Sequence, residues 1–439
     1  PPLLYDAAWH TSWDDFVKWR RPISLLSIGL VIATSIGVAM FASHFISGFT
    51  LSMGFVLGGI VSPPDAIAAA SILKNLKVPK RITTILEGES LVNDASSLIV
   101  LRFSLAAVAS GYFSLSQATT DFFLSTILGI GIGISIAAII YLIHRYLPTT
   151  ASIDAAFTII SPYLMYLGAE QLQYSGVMAV VSGGLFLSHR SNEIFSDGQS
   201  RLQSTNVWAT LTVVLNALVF ILIGLQLPVI VSGLEGYSLR EATVCGLLIS
   251  LLVIIIRLAW IYPATFIPRW LFTDIRKKEP APGWKSPMII GWAGMRGIVS
   301  LAAALSLPIT IAANVSFPGR NLIIFITFIV ILVTLVFQGL TLPFLIRYIK
   351  INEIDPTVPE TQQEVLITIR LLKASLTMLE RFSIKVDEID SLHALKIDFH
   401  NRLDHELRRL ESQELEEVEE KENEVHDKVL QEIFRVQRS

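Results

Sequence analysis

The feature that most constrains this chain is a series of windows, each about 20 residues long, that carry almost no charge. As an α-helix, a window of that length spans the ~30 Å hydrocarbon core of a bilayer. The composition agrees, since 52% of the residues are hydrophobic, 16% are charged and the mean hydropathy is +0.59. A typical soluble domain has about 25% charged residues. The chain is therefore predicted to be an all-α polytopic membrane protein.

The hydropathy pattern predicts ten full spans. Their approximate limits are 22–44, 50–73, 79–110, 119–146, 152–169, 173–189, 206–229, 240–264, 286–311 and 319–347. Lysine and arginine are concentrated in every second connection between the spans. These connections and the segment that follows the last span hold 17 of the 34 lysine and arginine residues, whereas the other connections hold only Arg240 and Arg320. Because cytoplasmic loops are enriched in basic residues, we expect a cell-membrane protein whose C-terminus is cytoplasmic.

The two ends of the chain depart from this pattern. The sequence begins Pro-Pro-Leu-Leu-Tyr-Asp with no signal-peptide pattern, so we expect residue 1 to lie inside an element whose beginning is missing. The last part has no apolar run long enough to span, and its apolar residues recur at helical spacing around the acidic run Glu414 to Glu424. We predict two domains: an N-terminally incomplete transmembrane domain, 1–350, and a cytoplasmic amphipathic-helical tail of unknown partner, 351–439.

An acidic side chain lies in the middle of the third predicted span. The stretch Glu-Gly-Glu-Ser-Leu-Val-Asn-Asp ends at Asp94. An ionisable group at the bilayer centre costs ~2.5–3.5 kcal/mol on insertion scales and is read as functional by default. Ser90 lies one helical turn before Asp94 on the same face, with Asn93 beside it. The alternative is a structural pair between Asp94 and an arginine such as Arg296, for which Glu89 competes.

The second predicted span is interrupted by Val-Ser-Pro-Pro-Asp, which ends at Asp65. Two prolines remove two backbone donors and break the helix. Inside a membrane, the freed backbone groups are tolerated only where they are buried in protein or line a cavity. Asp65 can cap the half-helix that follows, where the helix dipole favours an anion. A simple proline kink is the alternative, and the adjacent acid makes it less attractive.

A second interruption is predicted in Gly-Trp-Ala-Gly-Met-Arg-Gly-Ile-Val-Ser, where three glycines surround Arg296. The triplets 22–110 and 240–347 then each carry a break in their middle span. Breaks at corresponding places in two halves indicate a secondary transporter with inverted repeats. Two interrupted helices that cross at the midplane leave partial charges, which Asp65 and Arg296 are placed to offset.

The remaining charged residues in or near the spans are less informative. Glu170 closes the span 152–169 and Asp6 follows the first apolar residues, so either could be interfacial. Arg102 and Arg257 are assigned to structural pairing or snorkelling. The eight histidines form no metal-ligand pattern, and no phosphate-binding glycine loop or nucleophile motif occurs. We therefore expect no enzyme, no bound cofactor and no nucleic-acid partner, and transport driven by an ion gradient.

Three motifs resemble one family. Pro-Lys-Arg-Ile-Thr-Thr-Ile-Leu-Glu-Gly-Glu-Ser-Leu-Val-Asn-Asp, 79–94, is similar to the signature helix of the sodium/proton exchangers with an Asn-Asp pair, in the monovalent cation:proton antiporter family. Trp-Ala-Gly-Met-Arg-Gly-Ile-Val-Ser-Leu, 292–301, resembles the late-span Arg-Gly motif, and 216–227 also matches. The resemblance covers 1–347 and implies an inverted-repeat antiporter fold. We expect a homodimer in the lipid bilayer.

The resemblance implies a sodium- and proton-binding site. Asp94 matches the acid that binds the cation or the proton, Asn93 its amide partner, and Ser90 a hydroxyl that helps to ligate sodium. Asp65 matches the acid of the family's Thr-Asp-Pro break, and the carbonyl of Pro64 stands where the threonine carbonyl would contribute. This chain has Pro-Asp-Ala there, so the threonine hydroxyl is missing.

The resemblance also implies roles for residues around that site. Glu89 and Arg296 match an ion pair that ties the core helices together. Asp6 matches an early-helix acid near the ion, and Glu170 matches an acid common in its span. The first arginine of the usual Arg-Gly-x-Arg-Gly pattern is Ala293 in this chain.

These residues predict a mechanism. Carboxylate, hydroxyl and carbonyl oxygens are ligands that suit sodium. Burial disfavours the charged form of Asp94 and a bound cation stabilises it, so sodium and protons compete for one carboxylate. We expect electroneutral exchange of sodium, or lithium, for protons, in pH and sodium homeostasis. The alternatives are potassium/proton exchange on the same site and a non-transporting membrane sensor that acts through its tail.

Overall fold

A computed structural model describes residues 1–73, 76, 78–110, 115–147, 150–195, 198–234, 237–273, 276, 283–311, 315–349, 360–381 and 392–412. By their contacts the residues divide into two compact units, Pro1–Ile354 and Asp355–Ser439. The described parts of both units are almost entirely helical, which confirms the predicted all-α class.

The first unit is a series of helices joined by short connections. In chain order they are α1 (Pro2–His10), α2 (Trp13–Lys18), α3 (Arg20–Phe45), α4 (Leu51–Val61), α5 (Ala66–Leu73), α6 (Lys80–Ser110), α7 (Leu115–Tyr146), α8 (Ala151–Gln171), α9 (Gly176–His189), α10 (Ser191–Ile194), α11 (Gly198–Ser232), α12 (Leu239–Leu271), α13 (Lys285–Trp292), α14 (Ile298–Leu305) and α15 (Arg320–Ile349). The short strands β1 (Thr310–Ile311) and β2 (Val315–Ser316) pair antiparallel between α14 and α15.

The first interruption lies between α4 and α5. The hydroxyl of Thr50 caps the start of α4 by accepting from the backbone N–H of Met53 at 3.3 Å. The helix ends at Val61, directly before Ser62 and the two prolines. Neither proline can donate a backbone hydrogen bond, so the helix stops here, and α5 begins at Ala66 after four non-helical residues.

The second interruption lies between α13 and α14, over residues 293–297. Its segment contains two of the three glycines that predicted the break. A π-helical segment, Thr334–Gln338, in the facing helix α15 lies beside it, because the hydroxyl of Thr334 accepts from the backbone N–H of Arg296 at 3.0 Å. Such π-segments often occur at functional sites in helices.

Small residues allow α4 to pack closely against α3. A Cβ atom added at Gly58 would lie 2.7 Å from the carbonyl oxygen of Ser35, and one at Gly54 would lie 2.7 Å from that of Ala39. These glycines therefore set the distance between the two helix backbones. The close packing holds the end of α4, and with it the first interruption, inside the buried core.

Five helices in the described part of the chain are long and apolar enough to cross a membrane. They are Arg20–Phe45, Lys80–Ser110, Phe122–Tyr146, Leu239–Leu271 and Arg320–Ile349. The predicted spans 50–73 and 286–311 coincide with the interrupted segments, and 173–189 coincides with the 14-residue helix α9. The total of ten spans stays a prediction.

The second unit contains a helix over Glu360–Arg381 and a helical segment over residues 392–412. On the first of these, Val365, Ile369 and Leu376 lie at the helical spacing that predicted it. The acidic run Glu414 to Glu424 and the apolar positions that follow it lie outside the described residues.

Candidate functional site

The two helix interruptions contact each other. The backbone N–H of Asp65, in the first interruption, donates to the carbonyl of Met295 in the second at 2.7 Å. The Nε atom of Arg296 donates to the carbonyl of Val61, the last residue of α4, at 3.1 Å. The bonds satisfy backbone groups that the interruptions leave without helical partners. Two segments that are far apart in the sequence are thereby joined at one place.

This contact requires glycine at position 297. A Cβ atom added to Gly297 would lie 1.8 Å from Oδ2 of Asp65, much closer than any non-bonded contact allows. Any larger residue would force the two interruptions apart. The glycine therefore fixes how closely the Asp65 carboxylate approaches the second interruption.

A cavity of about 40 Å³ lies where α1, α6 and the two interruptions meet. Its polar lining comes from Asp65, Ser90, Asp94 and Ser300, and Pro64 also borders it. The remaining lining residues are small or apolar: Leu3, Leu4, Ala7, Pro63, Leu91, Gly297 and Val299. Four of the residues that the sequence singled out therefore surround one small space.

The Asp94 carboxylate is buried and has no hydrogen-bond donor in the described part of the chain. Asp94 is 5% exposed, and within the described residues no side chain donates to its carboxylate or forms an ion pair with it. A buried charge in this position strongly favours either a proton or a cation as its partner. The cavity beside it is where such a partner has room.

Asn93 holds the edge of the first interruption. Its Nδ2 atom donates to the carbonyl of Pro64 at 2.9 Å, which ties α6 to the interruption. The Oδ1 atom of the same amide is buried and accepts no hydrogen bond. The amide nitrogen of Asn93 is therefore held by the backbone carbonyl of Pro64, while the amide oxygen of Asn93 has no hydrogen-bond donor.

Ser300 is a lining residue that the sequence analysis missed. It is 1% exposed, lies in the first turn of α14, and its hydroxyl has no hydrogen-bond partner. A buried hydroxyl without a partner costs free energy, so a site that keeps one is unusual. The only sequence signal was its place at the end of the Arg-Gly motif.

The ion pair of Glu89 differs from the prediction. Its carboxylate receives two hydrogen bonds from Arg257, from Nη1 at 2.5 Å and from Nη2 at 2.8 Å. Arg257 also donates to the carbonyls of Ile290, at 3.0 Å from Nη2, and Gly291, at 3.1 Å from Nε. Glu89 and Arg257 are both fully buried, and their pair joins α6, α12 and α13. This corrects the predicted pairing of Glu89 with Arg296.

Arg296 has backbone partners instead. Besides the bond to Val61, its Nη1 atom donates to the carbonyl of Gly294, and its Nη2 atom has no partner. Carbonyls at the end of an interrupted helix carry partial negative charge, so they attract a guanidinium as a carboxylate would. Arg296 thereby offsets the partial charges of the breaks, while Arg257 neutralises the acid.

A sequence comparison identifies the family. The profile of the family described as "Sodium/hydrogen exchanger, transmembrane" matches residues 1–348. The chain belongs to the sodium/hydrogen exchanger family. It is therefore a multi-pass membrane protein of a family of transporters, as its sequence predicted.

Relatives of this chain are named as antiporters. The "Sodium, potassium, lithium and rubidium/H(+) antiporter" of Bacillus pumilus is 33% identical over 353 residues, which are 78% of this chain and 52% of that protein. The Na(+)/H(+) antiporter ApNhaP of Aphanothece halophytica is 32% identical, over 79% of this chain and 63% of that protein. The chain thus spans about half to two thirds of the length of these relatives.

A solved structure shares the fold of this chain. The sodium proton antiporter MjNhaP1 from Methanocaldococcus jannaschii superposes with a TM-score of 0.60, over 78% of this chain and 82% of that one. The sequence identity is 18%, so the match concerns the fold alone. It agrees with the antiporter fold that the sequence resemblance implied.

Asp6 lies beside the cavity that Asp94 borders rather than on it. Its neighbours Leu3, Leu4 and Ala7 on α1 line the cavity, whereas Asp6 is not among the lining residues. Its carboxylate accepts from the hydroxyl of Thr212 at 3.1 Å and lies 3.3 Å from Nδ1 of His10. In this structure Asp6 therefore connects α1 to α11.

Glu170 lies in a different part of the first unit. Its Oε2 atom is 3.0 Å from Nη2 of Arg102, and its Oε1 atom accepts from the backbone N–H of Gly176 at 3.3 Å. Both charged side chains line a separate cavity of about 390 Å³ that does not include Asp94. Because the pair is partly exposed, its contribution to stability should be small.

Proposed function

We propose that this chain exchanges sodium for protons across a cell membrane, with Asp94 as the carrier. The observation that carries this proposal is the buried Asp94 carboxylate, which has no donor among the described residues and borders a cavity between two helix interruptions. A permanently charged carboxylate in that environment is unfavourable, and either a proton or a monovalent cation relieves it. The two therefore compete for one site.

Oxygen atoms around the cavity supply the ligands that sodium prefers. They come from the carboxylates of Asp94 and Asp65, the hydroxyls of Ser90 and Ser300 and the backbone of Pro64. Of these, Ser300 adds to the set that the sequence predicted. We assign it a ligand role because its buried hydroxyl is unpaired at the cavity. Asn93 acts as a positioning residue, since it holds the Pro64 carbonyl.

Asp6 and Glu170 are not ligands of the ion in this proposal. Asp6 is near the cavity through its own helix and is assigned a positioning role, because it ties α1 to α11. Glu170 and Arg102 belong to a separate cavity and are assigned no part in ion binding. The ion pair of Glu89 and Arg257 is structural, because it holds the helix that carries Asp94.

Competition at one site produces coupled exchange if the site cannot change its access from one side of the membrane to the other while it is empty and charged. Each passage then carries either sodium or a proton, and the two fluxes are coupled. We infer that the interruptions belong to two inverted repeats, whose break regions move together past the rest of the unit. Because Asn93 is neutral and Asp94 alone changes its load, one cation replaces one proton and exchange is electroneutral.

The topology and assembly of the chain are further parts of the proposal. Residues 1–350 form the exchange domain, and the basic loops support a cytoplasmic location for the C-terminus and the tail, 351–439. We expect a homodimer in the bilayer, as the family resemblance suggests. The tail regulates exchange, and the whole serves pH and sodium homeostasis.

Potassium is the second candidate substrate. The relative from Bacillus pumilus is named for sodium, potassium, lithium and rubidium, and oxygen ligands bind all four ions. A role as a membrane sensor without transport is less well supported, because a sensor has no need of a titratable acid in the cavity.

Flux measurements in proteoliposomes test the proposed function. The purified full chain is reconstituted with a pH-sensitive dye inside, and sodium, lithium or potassium is added outside under an imposed pH gradient. We expect proton efflux with sodium and lithium and little with potassium. Efflux with potassium equal to that with sodium would favour the second candidate. A dye signal no larger than in empty liposomes, with every cation, would contradict antiport.

A further inference from the structure

The helix Glu360–Arg381 of the second unit carries apolar residues on two opposite faces. The residues of one face are buried, namely Val365, Ile369 and Leu376. On the other face, Ile367, Leu371 and Met378 are 57%, 64% and 65% exposed. A surface helix of a globular domain usually has one apolar stripe, which packs against its own domain. The second stripe is therefore open to a partner from outside the described residues.

The exposed stripe has the spacing of a coiled-coil seam. Its apolar residues follow one another at steps of four, three and four positions: Ile367, Leu371, Ala374 and Met378. This alternation is the a/d repeat, which keeps a line of side chains facing a second helix. The next positions of the repeat are Glu364 at one end and Arg381 at the other, and both are exposed. The stripe thus has an apolar centre and opposite charges at its two ends.

The stripe is complementary to itself when its direction is reversed. In an antiparallel pair of these helices, Leu371 of one copy can be placed opposite Ala374 of the second copy. The other facing positions are then Ile367 with Met378 and Glu364 with Arg381. A two-fold axis makes each of these contacts occur twice. The antiparallel pair therefore has an apolar centre with an ion pair at each end.

The end charges select the antiparallel arrangement over a parallel one. In a parallel pair each position meets its own counterpart, so Glu364 faces Glu364 and Arg381 faces Arg381. Like charges that face each other disfavour such an arrangement. Arg370 is the charged residue nearest to the apolar centre, and in the antiparallel pair it lies beside Thr377 of the second copy. The antiparallel pair therefore brings no like charges together along the stripe.

We propose that the exposed stripe of this helix docks antiparallel onto the same stripe of a second copy of the chain. The seam from Glu364 to Arg381 is short, about two and a half heptads. Two copies held together in one membrane have a high effective concentration of the stripe, so a short seam is sufficient there. The surface belongs to the second unit and does not depend on which ion the first unit carries.

Cross-linking of the full chain in liposomes tests the contact. Ala374→Cys is combined with Cys245→Ser, which removes the single cysteine of the sequence, and a short bismaleimide is added. Position 374 of one copy faces position 371 of the other, so the two introduced thiols lie about one helical turn apart along the axis. We expect a covalent dimer. Lys373→Cys, exposed on the same helix but outside the stripe, is the matched control and should give a much smaller dimer fraction.

Charge reversal in the Ala374→Cys background tests the register. Glu364→Arg and Arg381→Glu each place like charges at both ends of the antiparallel pair. Each should lower the ratio of dimer to monomer about fivefold, the order of effect when two exposed ion pairs become repulsive. Both changes in one chain restore the two ion pairs and should restore the parent ratio. Glu380→Arg, exposed but outside the stripe, is the control and should leave the ratio unchanged.

Co-expression of the two single variants, with tags of different size, tests whether the contact joins two chains. A mixed dimer has opposite charges at both ends, whereas each self-dimer has like charges at both. We therefore expect the cross-linked mixed dimer to exceed either cross-linked self-dimer.

Three results would overturn the proposal. Equal dimer fractions for Ala374→Cys and Lys373→Cys would show that the stripe does not contact a second copy. Single reversals that leave the ratio unchanged would exclude the antiparallel register and favour a parallel pair. A loss in both single variants that their mixture does not restore would assign the stripe to another segment of the same chain. Because cross-linking does not require transport, a failure of the proposed function would leave these outcomes readable.

Discussion

Two buried carboxylates lie five residues apart on α6, and their surroundings are opposite. Glu89 receives two hydrogen bonds from Arg257, which is itself bonded to two backbone carbonyls. Asp94 has no donor in the described part of the chain and borders a cavity. A carboxylate whose charge is fully satisfied has no reason to bind a proton or a cation. The comparison shows that hydrogen-bond and ion-pair partners, more than burial, distinguish an acid with a structural role from an acid that carries an ion.

The largest effect is expected when Asp94 is made neutral. Asp94→Asn keeps the shape of the side chain but cannot exchange a proton for a cation, so sodium-driven proton flux should fall to the level of empty liposomes. The melting temperature should stay the same or rise, because an unpartnered buried charge is removed. Residual flux well above the empty-liposome level would show that another acid carries the ion.

The same chemical change at Glu89 should act on stability instead. Glu89→Gln leaves Arg257 buried without its counter-charge, and breaking one side of such a pair destabilises proteins by ~3–5 kcal/mol. We expect a clearly lower melting temperature in detergent, with sodium affinity little changed in the protein that remains folded. A double variant, Glu89→Gln with Arg257→Met, should recover part of the loss. A melt identical to that of the parent would contradict the structural role of the pair.

Removing one hydroxyl from the cavity should have a moderate effect. Ser300→Ala deletes one proposed oxygen ligand, a contact of about 1 kcal/mol, so the KM for sodium should rise about fivefold at an unchanged maximal rate. Ser306→Ala is the matched control, because the Ser306 hydroxyl already donates to the carbonyl of Ala303 at 2.7 Å. If the two variants had the same KM as the parent, the Ser300 hydroxyl would have no part in ion binding.

The smallest effect is expected from voltage. A membrane potential does work of about 2.3 kcal/mol per charge per 100 mV, but only on charge that is displaced. If Asp94 carries one cation or one proton, no net charge moves, and sodium flux should not respond to a potential set by potassium and valinomycin. The comparison is informative only once potassium is excluded as a substrate. A flux that follows the potential would implicate a second titrating acid, such as Asp6 or Asp65.

Much of this site was predictable because a membrane makes polar residues conspicuous. The cost of burying Asp94 and the two prolines before Asp65 both stand out in an apolar sequence. The structure places these residues, with Ser90, around one cavity. The sequence also indicated both helix interruptions, since prolines and clustered glycines disrupt a helix wherever it is located.

The partners of the charged residues could not be predicted in the same way. Arg257 and Arg296 are both arginines in apolar spans, and the sequence does not say which of them faces Glu89. The helix packing decides it, because α12 directs Arg257 towards α6 while the broken helix ends attract Arg296. Ser300 went unnoticed for a related reason: a serine in a helix usually donates to a carbonyl one turn earlier, and only the structure shows that this one does not.

The small volume of the Asp94 cavity determines what an ion must leave behind. A cavity needs at least ~10–15 Å³ for each water molecule, so one of about 40 Å³ has room for only about three and cannot admit a cation with a full hydration shell. The ion must arrive partly dehydrated, and the oxygen atoms around the cavity must replace the water that it loses. Selection among lithium, sodium and potassium then depends on how the dehydration free energy of each ion compares with its binding to a fixed ring of oxygens. A substitution that enlarges this cavity by the volume of one methyl group should therefore change the ion preference before it changes the transport rate.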